Sequence, residues 1–404
     1  MNKINYIDLF AGCGGLSDGF ESTNLFNGIA HIEWEKPALD TLEKRLINKY
    51  KKENPNCIYF DIQRIDELFN GYKEDLKFGS FVGLTKLVKN HGVDIVIGGP
   101  PCQAYSLAGR IRDKDGMQND YRNYLFESYI EVLKKTKPKL FVFENVPGML
   151  SAAPGGFPIT QRIRDAFDKS GYLIIDDLKK ALIDMTDFGV PQNRKRVILV
   201  GLLKSQYKKD GLNLLEKFYE EFKDKFKVKK INTAQNALRN LPSIFPKKNL
   251  NDNSNRQSHE LSNKSKIENH IPRFHNQRDI EIFRILTNDI QTGKNLYVST
   301  DSLKKLYTEK TGKTSSVHKY FVIRPNKPSN TIPSHLYKDG LRHIHWDPKQ
   351  ARSLTVRECA RLQGFDDDFI FYGSQGDQYK MIGNAVPPIF AKLLANHIFN
   401  FFKK

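Results

Sequence analysis

The sequence predicts an α/β fold: a mostly parallel sheet covered by helices on both faces, joined to a smaller irregular domain. Three observations point there. Over the first 200 residues, short and almost continuously apolar runs alternate with helical patterns, as strands buried on both faces of a parallel sheet do. The first of these runs feeds a glycine-rich turn and then a helix. From about residue 202 the chain becomes polar, basic and irregular.

Taken in order, Ile4–Phe10 is the first strand and ends in Ala11-Gly12-Cys13-Gly14-Gly15, with a helix from Leu16. A second strand ends at Glu33-Trp34, and a third, Ile58–Phe60, ends at Asp61. Asp94–Gly98, Leu140–Glu144 and Val197–Gly201 follow as buried strands, with helical stretches such as Tyr124–Lys135 between them. Beyond 202, Leu214–Lys230 reads as a charged amphipathic helix. Residues 249–266 are Asn/Ser-rich and nearly free of apolar side chains, which predicts a mobile loop. Tyr307–Ile344 reads as strand-rich and loop-rich. Ser353–Phe365 is helical, with Thr355 as N-cap and Glu358 at capping-box spacing. The apolar pattern Ile389–Phe401 is expected to pack back onto the first sheet. The predicted domains are 1–201 completed by 374–404, and 202–373.

Composition narrows the class. The 404 residues are 39% hydrophobic with mean hydropathy −0.54, enough for a core. No run of eighteen apolar residues spans a membrane, and the N-terminus lacks the pattern of a signal peptide, so a cytoplasmic protein is expected. The four cysteines, at wide spacing, suit neither a disulfide framework nor zinc. The net charge is +18, and residues 201–350, with 29 basic and 15 acidic side chains, carry +14 of it. A basic domain beside a near-neutral one predicts a polyanion partner, although charge does not separate DNA from RNA. Seven of the ten histidines lie there without regular ligand spacing, so no metal site is expected.

Five groups of residues carry chemistry. In Asp8–Gly15 a strand, a glycine turn and a helix start let a ligand approach free N–H donors; Ser17 stands where a dinucleotide fingerprint wants glycine. A ligand-free tight connection is the alternative. Glu33, Trp34 and Asp61, at successive strand ends, together describe an adenosine pocket: a carboxylate for ribose hydroxyls, an indole for adenine and an acceptor for its amino group. In Gly98-Gly99-Pro100-Pro101-Cys102-Gln103 two prolines fix a cysteine just past a strand, as a nucleophilic thiolate requires. Glu144 follows a dry strand and suits proton transfer. In Gln192-Asn-Arg194-Lys-Arg196 the arginines face one side of an extended segment and suit a phosphate or carbonyl oxygen.

In combination these motifs resemble the DNA (cytosine-5) methyltransferase family, in its bacterial type II modification form. DLFAGCGG, GGPPCQAYS, ENVPGML, QNRKRV, SLTVRECARLQGF (353–365) and QYKMIGNAVPP (378–388) are similar to the family's motifs and stand in family order. The resemblance implies a Rossmann-like S-adenosylmethionine-dependent methyltransferase fold, with a target-recognition domain at 202–373. It implies Cys102 as the nucleophile that adds to cytosine C6, Glu144 at N3 and the amino group, and Arg194 and Arg196 at O2 and a phosphate. Phe10, Gly12, Gly14, Glu33, Trp34, Asp61, Pro101 and Asn384 would hold S-adenosylmethionine, and no metal is called for. Residues 103–123 resemble the family's mobile loop, with Ser106, Arg110, Arg112 and Arg122 as DNA contacts. Arg324, Lys338 and Arg342 lie near a family stretch that approaches DNA. The implied partner is double-stranded DNA, from which the base is flipped out, with a cognate restriction endonuclease as functional partner and a monomer as the default state. An RNA (tRNA) cytosine-5 methyltransferase is one alternative, against which the Cys-Phe-Thr signature associated with that branch is missing. A catalytically silent DNA-binding relative is the other, and the intact catalytic set argues against it.

Overall fold

Main-chain pairing follows the apolar runs closely. The computed structural model describes residues 3–101, 125–153, 156–207, 210–248, 257–263, 267–318 and 320–403. The chain divides into two compact units, Met1–Gly189 with Arg194–Lys229 and Ala385–Lys404, and Val190–Asn193 with Lys230–Asn384.

In the first unit the strands are β1 (Ile4–Leu9), β2 (Phe26–Glu33), β3 (Cys57–Tyr59), β4 (Tyr72–Asp75), β5 (Gly79–Phe81), β6 (Ile95–Gly98), β7 (Leu140–Asn145), β8 (Tyr172–Ile174), β9 (Leu182–Asp184) and β10 (Lys195–Leu203). The large sheet runs β3-β2-β1-β6-β7-β10-β8, with β9 also paired to β10, while β4 and β5 form a separate hairpin. The strands β3, β2, β1, β6 and β7 are mutually parallel, and β10 runs antiparallel to β7, β8 and β9. Every residue of β6 and β7 is buried, which is why their sequences show no alternation.

Register brings the motif residues to one edge. Leu9 lies opposite Gly98, Gly98 opposite Phe143, and Glu144 opposite Ile198 of β10. From β1 the order runs to β2 and β3 on one side and to β6 and β7 on the other, so a switch point opens beyond the carboxyl ends of β1 and β6. Open α/β sheets bind ligands there.

Helix α1 (Gly15–Glu21) is buried along its whole length and packs against the apolar helix Pro388–Phe402 of the same unit. The helix Gly211–Phe226 also belongs here, not to the small domain expected at 202–373. Its Tyr219 hydroxyl accepts from Val200 N–H and donates to the Ile198 carbonyl, each at 2.9 Å, and so ties the helix to β10.

The second unit holds five helices among the described residues: Ala234–Leu238, Gln277–Gln291, Thr300–Thr311, Val356–Gln363 and Gln375–Asn384. Its core gathers Ile280, Phe283, Leu286, Leu306, Tyr320 and Ile344. Two expectations change here. Within 249–266, His259–Leu261 is a strand paired with Ile244–Pro246, whereas 249–256 and 264–266 lie outside the described residues. Tyr307–Ile344 is not strand-rich: a helix runs through Thr311, and the rest carries isolated bridges such as Val322 with Ile344. Pro325, Pro328 and Pro333 each remove a ladder donor from that stretch. The predicted capping box is present, Thr355 Oγ1 accepting from Glu358 N–H and Glu358 accepting from Thr355 N–H.

Candidate active site

The turn after β1 is shaped by backbone conformation. Phe10 takes a left-handed φ of 58°, uncommon for a residue with a side chain. Gly14 has φ 90°, and a Cβ there would sit 2.4 Å from Leu42 Cδ1. This path brings Gly12 N–H to Glu33 Oε2 at 2.7 Å. Glu33 Oε1 accepts from Trp34 N–H at 2.8 Å and Glu35 N–H at 2.7 Å. Burial pushes the Glu33 carboxyl up, and these three backbone donors oppose that shift. Glu33 therefore joins the first turn to the end of β2 and fixes the backbone of Trp34, whose indole is half exposed. Asp61, past β3, accepts from Gln63 N–H at 3.1 Å.

Three buried polar side chains, Asp8, Ser17 and His31, meet beneath this turn without forming a sequence motif. Ser17 Oγ donates to Asp8 Oδ2 at 2.6 Å and lies 3.0 Å from His31 Nδ1, linking α1, β1 and β2. The serine at the third fingerprint position thus replaces a glycine contact with a polar clamp. Burial pushes Asp8 up to about 7 and His31 down to about 3, so both are neutral-leaning groups in the core. Their signal in the sequence was polarity within otherwise apolar strands.

Beyond β6, Gly99 lies against Glu144, and a Cβ on it would meet Glu144 Oε2 at 2.6 Å. Glu144, the penultimate residue of β7, pairs through Oε1 with Arg196 Nε at 2.9 Å. Arg194 is fully buried and donates to the Ala385 carbonyl at 2.9 Å. Burial works against the charge on both guanidiniums, and Glu144 offsets it. Two cations and one carboxylate leave a surplus positive charge in a water-poor corner, a setting that favours an anion or a carbonyl oxygen gaining charge.

The structure thus gathers Phe10, Gly12, Gly14, Glu33, Trp34, Asp61, Pro101, Glu144, Arg194 and Arg196 in one unit, at or just beyond strand ends on one sheet edge. Cys102, Ser106, Arg110, Arg112 and Arg122 lie outside the described residues. Burial pushes the thiols of Cys13, Cys57 and Cys359 up, so none of these is primed as a thiolate. Asn384 ends a helix of the second unit, where it is exposed. In that unit Lys338 and Arg342 are also exposed, Arg342 Nη2 donating to His318 Nε2 at 3.0 Å, and Arg324 is half buried. His259, His270, His275, His343 and His345 are buried, and each is pushed below its ordinary pKa by burial, as hydrogen-bonding core groups are.

Comparison with known proteins decides the family. The model of C-5 cytosine-specific DNA methylases matches residues 4–400. The chain belongs to that family. It is 34% identical to the type II methyltransferase M.Bpa9945I of Bacillus paralicheniformis, over 97% of this chain and 98% of the relative. It is 31% identical to the type II methyltransferase M1.HphI of Haemophilus parahaemolyticus, over 98% and 87% respectively. A prophage-encoded chain from Escherichia coli has the same fold in its crystal structure, at 24% identity and TM-score 0.61, with both chains covered in full. The α/β methyltransferase fold and the activity of a DNA cytosine-5 methyltransferase follow. Among the described residues no helix is long and apolar enough to cross a membrane, and no three His, Cys, Asp or Glu side chains cluster as metal ligands.

Proposed function

We propose that this methyltransferase modifies C5 of a cytosine flipped out of a short, specific duplex sequence, through a covalent bond between Cys102 and C6. The observation that carries the reading is the convergence of Glu144, Arg196 and Arg194 on the sheet edge that also holds the Glu33-clamped glycine turn. The strand leading to Cys102 ends at that same edge, with Gly99 against Glu144.

Cytosine C5 is a weak nucleophile. Addition of the Cys102 thiolate to C6 converts the ring to an enamine, and C5 then becomes nucleophilic. Glu144, held by Arg196, is placed to protonate or hydrogen-bond N3 and the amino group as electrons leave the thiolate. Arg194 and Arg196 supply the positive charge for O2 and a neighbouring phosphate. Once C5 carries the methyl group, loss of its proton and β-elimination of Cys102 restore the aromatic ring. Flipping exposes C5 and C6, at an unstacking cost of a few kcal/mol.

The methyl donor we assign is S-adenosylmethionine, whose sulfonium makes its methyl group electrophilic. The residues present fit it. The glycine turn keeps backbone close to a ligand, Glu33 stands at the end of β2 for the ribose hydroxyls, and Trp34 offers a half-exposed indole for adenine. Phe10, Gly12, Gly14, Asp61 and Pro101 complete the set within the first unit. The basic second unit, with exposed Lys338 and Arg342, is assigned to double-stranded DNA recognition. Since both relatives named above are type II methyltransferases, we assign this chain to the modification half of a restriction–modification system.

Bisulfite sequencing of plasmid DNA from cells producing the wild type or Cys102→Ala tests the proposal. Methylation in a single sequence context, lost in the variant, supports it. Unmethylated plasmid in the presence of folded wild type would redirect the assignment to RNA or to silent binding.

A further inference from the structure

The hairpin of β4 and β5 has no part in the chemistry described so far, yet it is built onto Trp34. Its turn is fixed by a chain of ionic and hydrogen-bonded contacts. Asp75 Oδ1 accepts from the backbone N–H groups of Lys77 and Phe78, both at 2.9 Å. Asp75 Oδ2 takes Arg64 at 2.7 Å, and Arg64 also pairs with Glu67. The Arg64 guanidinium stands 4.9 Å from the centre of the Phe60 ring and 5.5 Å from that of Phe78. Phe60 in turn stacks on Tyr72 at 4.5 Å, with 10° between their planes. The result is a rigid aromatic shelf at the end of β3, on which Phe78 meets Tyr59 at 5.1 Å and Trp34 at 6.0 Å.

From this shelf Lys77 reaches over Trp34. Its ammonium lies 3.6 Å from the centre of the indole, in direct contact with a π face, and 4.9 Å from the Phe78 ring. The turn has already positioned the Lys77 backbone, so little further ordering is needed to make this contact. A purine stacking on an indole needs that kind of face, clear to van der Waals distance.

We propose that Lys77 is a latch on Trp34: it covers the indole face and must vacate it before an adenine ring can stack there. Lys77 is then a tuning residue for cofactor affinity, competing with the nucleoside it guards. The proposal rests on the reading of Glu33-Trp34 as the nucleoside site.

The chain has two tryptophans, Trp34 and Trp346, so a Trp346→Phe background leaves Trp34 as the only indole reporter. S-adenosylhomocysteine is titrated into that protein and into its Lys77→Ala, Lys77→Met and Lys77→Arg derivatives, following indole fluorescence. Removing an exposed cation–π competitor should tighten binding by roughly two- to fivefold in the Ala and Met variants. The Arg variant, which keeps a stacking cation, should bind no more tightly than the parent. Unchanged or weaker binding in the Ala and Met variants, with the same fluorescence response as the parent, overturns the latch and leaves the nucleoside site standing. Binding by calorimetry with no change in Trp34 fluorescence in any variant overturns both.

Discussion

At the scale of single residues, the site depends on how Glu144 is held from two sides. Arg196 grips Oε1 at 2.9 Å, and the missing side chain of Gly99 leaves room for Oε2, which a Cβ would approach to 2.6 Å. The atom met is the far end of the Glu144 side chain, so Gly99→Ala must push the carboxylate away. Displacement of a catalytic group by about 1 Å can cost on the order of 10²-fold in rate. We expect kcat to fall by roughly that factor, with S-adenosylhomocysteine affinity and thermal midpoint nearly unchanged. A single-turnover methylation assay beside a binding titration checks this, and a kcat within about twofold of wild type would show that the carboxylate is not held by this contact. Gly99 and Glu144 were each legible as motif residues. Their mutual contact was not, because 45 positions separate them and only the pairing of β6 with β7 brings them together. The same holds for Asp8, Ser17 and His31, whose clamp forms through the pairing of β1 with β2.

At the scale of elements, the helix Val356–Gln363 shows what local sequence can and cannot reveal. Its capping box was readable from Thr355 and Glu358 alone. The larger contribution comes from Arg352, fully buried, which grips both Glu358 oxygens at 2.6 and 2.7 Å. An arginine six positions away carries no helical signal, since it belongs to the segment before the helix rather than to its face. Removing one partner strands the other charge in the core, so Glu358→Gln should cost about 3–5 kcal/mol. Thr355→Ala, which deletes the cap, should cost about 1 kcal/mol. Urea unfolding of the two variants measures both, and equal costs would mean that the cap, not the buried pair, anchors this helix. The strands of the sheet were legible because each is apolar throughout. The region 307–344 lacks its expected strands because its apolar residues sit in irregular chain punctuated by prolines, where alternation no longer reports a ladder.

At the scale of the whole molecule, the two units are set to respond differently to acid. In the second, burial holds His275 at about 3 and His259, His343 and His345 at about 4, with His270 also lowered. An unfolded histidine titrates near 6.5. Between pH 6.5 and about 4 the unfolded form therefore binds more protons than the folded one, and stability falls as pH falls, by up to about 1.4 kcal/mol per pH unit for each histidine. Arg352 and its neighbours hold Glu358 below the ordinary carboxylate range, a contribution also lost on acidification. The first unit has opposing groups. His31, lowered to about 3, favours unfolding in acid in the same way. Asp8, raised to about 7, keeps its proton in the folded state where the unfolded chain would release it, so its effect between pH 4 and 7 has the opposite sign. Those two largely cancel, whereas the histidines of the second unit add. Hydrogen exchange at pH 7.5 and pH 5.0 should accordingly show protection lost first within 230–384, with the strands of the first unit holding. Uniform loss across both units would mean that they unfold as one cooperative body. Loss confined to the first would contradict the placement of these buried histidines.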